Sequence, residues 1–455
     1  MKFTVQSLVS TLFFAACGAN SAASPDAAVA ADSAADSAID ATTSADVQAT
    51  VGPFSIGQGE TVLVSSPTGA KFAAVVDPGI LEADLPEGST NLQVHAGYVP
   101  DAKANVVAQV TDNGSPSNLT VSFAIQPLKW AENVTWDANG PEAREHGALI
   151  LDTLHNRLIL LGGSGYAPQL TPLGDAWAFD LDKLTWTKLA PTGDVLAPAG
   201  SRRVAQIPGQ PLAYLSGGYA ANQAAINELV RVDFNEIQPK IKVLTQKSPP
   251  AARSLHAFGY DPQTDRFYLF GGVGAVAYSD TWSLQITSDT GTWTNLKLKP
   301  APSPRYGFFA AMDQKNGRLI VYSGAQNQTK TDPVNAAQDT WALDTRSQPP
   351  AWTQILDGKG ENEPPGRRNG CAVWDASGPR LLVFGGTPDA KETSPGFYLL
   401  DARPGKEAWT LLNLPGEPDL RSSGIGIYDP KSRRSFLGFG NSSSGVYADL
   451  TPIGY

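Results

Sequence analysis

The sequence predicts an all-β chain: a small β-sandwich followed by a larger region made of six copies of a four-stranded sheet. Three observations predict it. The 44 glycines and 35 prolines are too many for a helical bundle or a coiled coil. Apolar and polar residues alternate in short runs, as in Leu92-Gln93-Val94-His95-Ala96, which is the period of a half-buried strand. From residue 144 onward, a pattern of Asp, Arg and paired glycines returns at nearly constant intervals.

Composition narrows the function classes. At 455 residues the chain has room for two or three domains. With 42% apolar residues and aromatics spread along its length, disorder throughout is excluded. Two cysteines exclude a disulfide scaffold. A net charge of −10 disfavours nucleic acid as a partner. No apolar run approaches the roughly 18 residues of a membrane span. No motif calls for a cofactor or a metal, and no catalytic motif stands out.

Residues 1–17 carry one cation, Lys2, then a short apolar stretch and small residues before Cys17, in the manner of a secretion signal. Phe14-Ala15-Ala16-Cys17 resembles the lipobox of bacterial lipoproteins, which implies a lipidated Cys17. The alternative is an ordinary signal cleaved near Ala19 or Ala23. Residues 18–50 are mostly Ala, Ser, Asp and Thr and hold no large apolar stripe, so they read as a flexible tether. By the lipoprotein resemblance, Gly18 after the cysteine implies anchoring at the outer membrane.

Residues 51–127 read as a small antiparallel, immunoglobulin-like sandwich. Strand-like runs are separated by turn chemistry at Asp77-Pro78-Gly79, Pro86-Glu87-Gly88 and Asp112-Asn113-Gly114. No cysteine pair marks an immunoglobulin domain proper. His95 falls between inward positions and is expected to face solvent.

The repeat organises residues 128–455. Asp152, Arg157 and Gly162-Gly163 set its spacing, which returns at Asp261, Arg266, Gly271-Gly272 and at Asp375, Arg380, Gly385-Gly386. Asp313, Arg318, Ser323-Gly324 and Asp429, Arg434, Phe439-Gly440 keep it with one glycine replaced; the copy at Gly217-Gly218 is degenerate. A third strand is expected to carry Trp177, Trp282, Trp341, Tyr398 and Tyr447, and a fourth Trp186, Trp293, Trp352 and Trp409. A glycine pair, then an aromatic, then Trp, at a period near 50, resembles the kelch repeat. The resemblance implies a β-propeller, here of six blades. The last copy reaches Tyr455 without its outer Trp, and Trp130 lies 14 residues before Arg144, so a strand near Trp130 is expected to complete the last blade.

Candidate site residues follow from the repeat. An arginine opens each copy: Arg144, Arg202, Arg253, Arg305, Arg367 and Arg421. Such a ring either offers bidentate hydrogen bonds to an anionic group or ties neighbouring blades together. The loops after the glycine pairs share its end of the propeller and vary in length. Tyr166, Tyr219 and Tyr278 occupy matching places in three of them, and the longest, 325–339, contains Gln326, Asn327, Gln328 and Lys330. Tyr with Asn suits recognition of a peptide or a sugar. The copper oxidases among kelch proteins need a Tyr–Cys pair, whereas Cys371 lies in an apolar strand. The exported sialic-acid mutarotases of the family imply an axial charged pocket, for which Glu142 and Glu145 are the candidate bases. The reading is a monomeric envelope protein that binds a protein, peptide or glycan, without nucleic acid, cofactor or metal. An axial-pocket sugar enzyme and a structural spacer are the alternatives.

Overall fold

A computed structural model describes residues 4–7, strands and turns between 49 and 130, and most of 139–454. Within the last stretch, 167–169, 327–334, 361, 377, 388–395, 413 and 415–419 are excepted. Cys17, the expected tether up to residue 48, and Asn327, Gln328 and Lys330 lie outside the described residues. Among the described residues there is no helix. The chain divides into two compact units, 1–126 and 127–455.

The first unit contains two four-stranded sheets. One orders Thr4–Ser7, Thr61–Ser65, Asn91–His95 and Glu82–Asp84; the other Ala49–Gly57, Ser115–Gln126, Ala102–Asp112 and Lys71–Asp77. Ile56, Val64, Leu92, Val94, Val106, Val121 and Phe123 are fully buried in one shared core. Two expectations change. Ala49–Gly57 pairs parallel to Ser115–Gln126, so the sandwich is not wholly antiparallel. His95 is buried, because its strand is flanked on both sides, by Thr61 and by Glu82.

The second unit contains six larger sheets. Their innermost strands are Ala148–Asp152, Arg203–Gln206, Ala257–Asp261, Phe309–Asp313, Cys371–Asp375 and Ile425–Asp429. Each packs beside the next, and Ile425–Asp429 packs beside Ala148–Asp152, so the sheets form a closed ring. In each blade the chain runs outward from the innermost strand as an antiparallel meander; an outer fifth strand, Thr192–Gly193 in the second blade and Thr245–Lys247 in the third, pairs parallel, and the outer strand of the last blade comes from upstream. The Asp-to-Arg turns therefore collect at one end of the ring. The loops after the glycine positions and the crossings between blades collect at the other, called the loop end below.

The last sheet orders Ile425–Asp429, Arg434–Gly438, Leu450–Gly454 and Lys129–Trp130. Trp130 pairs with Ile453 and Lys129 with Gly454. The Trp130 ring meets Phe384 and Phe397 of the preceding blade edge-on, at centroid distances of 5.7 and 5.5 Å. Trp352 and Trp409 meet Phe270 and Tyr322 in the same relation. The outer tryptophan of each of these blades thus fills the wedge between its own sheet and the one before. The third strand of the last blade begins at Leu450, so Tyr447 precedes it, and Thr451 takes the place of the aromatic.

The turn end is stitched by the repeated Asp–Arg pairs. Arg157 Nε donates to Asp152 at 2.7 Å, and Arg157 Nη2 donates to the Ile237 carbonyl of the next blade at 2.8 Å. Arg318 similarly reaches the Ala402 carbonyl and Glu407. Arg380 pairs with Asp375.

Candidate functional site

The loop-end arginines explain how the blades join. The backbone N–H of Arg253 donates to Ile226 of the preceding blade, and its carbonyl accepts from Gly218 of that blade. Its side chain turns into its own blade, donating to the Gly271 carbonyl and forking onto Asp280 at 2.6 and 3.0 Å. Arg144 repeats this with Gly162 and Asp175, and Arg305 with Ser323 and Asp339. Each of these aspartates also accepts from an indole two residues on, Trp177, Trp282 or Trp341, at 2.7 Å. Burial pushes the Asp175, Asp280 and Asp339 carboxyls up, but the guanidinium hydrogen bonds and charge outweigh it and hold them below their usual range.

The arginine ring therefore serves the blades. Arg144, Arg253, Arg305, Arg367 and Arg421 are all buried, and their donors turn inward rather than toward a ligand. Arg421 bonds Asp449 and stacks on Tyr447 at 3.8 Å; Arg367 bonds the Pro365 and Gly385 carbonyls and stacks on Tyr398 at 4.8 Å. Arg202 does not belong to the ring. Five arginines stand 18 residues before the carbonyl they bond at the glycine position. In the second blade that place falls on Ala199, whose backbone makes the equivalent bonds to Leu173 and Gly163. Arg202, three residues later, reaches Glu228 instead, at 2.6 Å. Glu228 stands where the other blades have the aspartate, and its longer side chain spans the added distance.

The three tyrosines separate. Tyr278 is held against Arg253, ring to guanidinium at 4.1 Å, and is only half exposed. Tyr219 is half-buried, its hydroxyl 3.1 Å from Ser164 Oγ, and burial raises it to about 12. Tyr166 is 41% exposed, and its hydroxyl donates to Glu145 Oε2 at 2.8 Å. Asn441 of the last blade donates to both. Burial pushes the Glu145 carboxyl up against these hydrogen bonds. Glu142 is exposed. Cys371 is buried, and burial lifts its thiol to about 12.

The inner strands enclose an axial channel of about 550 Å³. Its turn end is bridged: Gln314 donates to the Gln206 and Tyr260 carbonyls, and Gln206 bonds Leu151 across the first blade seam. Toward the loop end the channel is polar, with His146, Ser201, Arg203 and His256 on its wall. Burial and the Arg203 charge hold His146 down to about 3, and hold His256 well below its ordinary value. Burial lowers Arg203 itself to about 10, and its Nε has no hydrogen-bond partner. Among the described residues no cluster of His, Cys, Asp and Glu is arranged to hold a metal.

Sequence reasoning missed Arg203 and the aspartates. The second had a visible signal, Asp-x-Trp at 175–177, 280–282 and 339–341. Arg203 had none, since it stands alone at a place where other blades have Ala148, Ala257, Phe309, Cys371 and Ile425.

Closed ring, blades built on four antiparallel strands and the repeated loop-end crossings define a kelch-type β-propeller. The family model described as the KLHDC2/KLHL20/DRC7 Kelch-repeats domain matches residues 106–300 and 203–427, and the chain belongs to the kelch-repeat family. It is 28% identical over 281 residues to Adagio-like protein 1 of Oryza sativa subsp. japonica, covering 58% of this chain and 42% of that one. It is 26% identical over 275 residues to Adagio protein 3 of Arabidopsis thaliana, with the same coverage. The chain thus spans less than half the length of these relatives. Among solved structures, that of YjhT superposes with a TM-score of 0.53 at 15% identity, covering 70% of this chain and 97% of that one.

Proposed function

We propose that the chain is a protein-interaction module whose loop end carries the contact surface. Kelch propellers are binding scaffolds in general, and the described loop-end residues are held in blade-joining and tyrosine-ordering contacts. One observation carries the choice of end. Tyr166 stands out from the loop end while its hydroxyl is fixed by Glu145 and Asn441, so it offers a large aromatic face already ordered before contact. Val276, 45% exposed on the corresponding loop of the third blade, adds apolar surface at the same end.

A peptide segment or a glycan of the cell envelope is the finer reading. It rests on the signal-like pattern of residues 1–17 and the lipobox-like Cys17, which together favour export and a lipid anchor. The test compares the two ends. A photo-crosslinking residue at position 276 should form adducts in cells, and one at Leu154, 60% exposed at the turn end, should not. Adducts from position 154 alone would place the surface on the opposite end. Replacing Tyr166 by Ala should weaken the adducts from 276 without changing the melting temperature by more than a degree or two, as for an exposed loop position.

A further inference from the structure

The geometry points to a second site, inside the axial channel: we propose that Arg203 binds the carboxylate of a small organic acid whose apolar body lies toward the turn end of the channel. The inference does not depend on the loop-end surface.

Arg203 is out of place. At the equivalent position the other blades put Ala148, Ala257, Phe309, Cys371 and Ile425, none of them charged. The guanidinium sits on the channel wall with its Nε buried and unpartnered. No carboxylate of the described residues forms an ion pair with it. Arg203 as a whole is half-buried beside the channel while its Nε is desolvated, so an anion in the channel would supply the partner it lacks. The neighbouring donors are unused as well. His256 is 1% exposed and neither ring nitrogen has a partner; the buried Ser201 hydroxyl has none either. Arg202 keeps its Nε and Nη1 free although Glu228 already balances its charge. The site thus has one net cation and several neutral or balanced donors, which fits a monoanion. The flat fork of a guanidinium matches the two oxygens of a carboxylate.

The rest of the ligand follows from the wall below. Ala310, Met312, Ala372, Trp374 and Ile427 line the channel from beyond the Arg203 level toward the turn end. About 550 Å³ is within the range of small-molecule pockets. The lining continues past the glutamines to Thr153, Pro208, Gly209 and Pro430 at the turn end, whereas backbone hydrogen bonds from Ser201 to His146, His146 to Ser423, Ser423 to Asn369 and Asn369 to Gly307 draw the inner strands together at the loop end. The turn end is therefore the mouth, the carboxylate enters first to reach Arg203, and the apolar body lies nearer the mouth.

Benzoate is the probe, with benzyl alcohol as its uncharged counterpart and chloride as the ionic-strength control. Calorimetry on the full chain should show saturable one-to-one binding of benzoate, at least tenfold tighter than benzyl alcohol. The chain has only 4 histidines, so their ring protons can be followed individually. Those of His146 and His256 should shift on titration and those of His95 and His155 should not. Arg203→Gln should lose benzoate affinity at least tenfold. It should melt at or above the wild-type temperature without ligand, since it removes an unpaired charge. Absence of saturable benzoate binding, equal binding by Arg203→Gln, or His146 and His256 resonances that stay fixed at saturation would overturn the proposal. The resonance test stands even if the variant fails to fold.

Discussion

Single side chains in this propeller are decided by whether a partner is within reach. Five loop-end arginines are buried and have partners; Arg203 lacks one. His146 and His256 are kept neutral by burial and by the positive field of Arg203, reinforced for His256 by Arg253. Glu145, 3.9 Å from His146, is the nearby acid. That arrangement has a consequence for acid stability. Both folded-state values lie below the ordinary 6.5, so below about pH 6.5 the unfolded chain binds more protons than the folded one. Stability should therefore fall as pH drops from 6.5 toward 3, by about 1.4 kcal/mol per pH unit for each histidine at the steep part. Melting temperatures between pH 7 and 5 should decline, and His146→Gln with His256→Gln should flatten the decline. An unchanged slope in the double variant would show that other groups carry it.

Among the described strands, the outer strand of the last blade is one of the shortest and the most open to test. Only Lys129 and Trp130 form it, and Trp130 is 4% exposed between two aromatic rings. Trp130→Ala should cost about 3–5 kcal/mol, as for other large buried aromatics, and should promote aggregation by freeing the edge of Leu450–Gly454. Chemical denaturation with light scattering measures both. At this scale the sequence was readable where a residue type had one physical reason to recur. Paired glycines mark a left-handed turn: Gly162, Gly217, Gly271 and Gly385 all have φ near +60°. Copies with Ser323 or Phe439 there keep the same conformation, at φ of 63° and 56°, so the pattern blurred while the backbone did not. Ser323 offsets the strain by donating to the Ala337 carbonyl and bonding the Arg367 backbone. The misplacement of Arg202 has a similar origin. A compensating change, Ala199 with Arg202 and Glu228, conserves the contact in space and shifts it in sequence. Tyr278 was legible as a loop residue, but its stacking on Arg253 belongs to tertiary geometry that spacing does not reveal.

For the molecule as a whole, the kelch propeller is the settled part and its address is the open proposal. If Cys17 carries a lipid, Cys17→Ser should move the protein from the membrane fraction to the soluble fraction, and the wild-type mature chain should begin at residue 17. A mature N-terminus mapped downstream of Cys17 would refute the anchor. The closure of the ring bears on any such attachment. The strand that completes the last blade lies upstream of every other blade strand and pairs with two residues, Ile453 and Gly454. Tension applied to the chain from its N-terminal side would reach the propeller at this two-residue ladder before any other. The Trp130 ring, wedged between Phe384 and Phe397, then acts as the mechanical catch, and the force at which it slips sets how hard the molecule can be pulled before the ring opens.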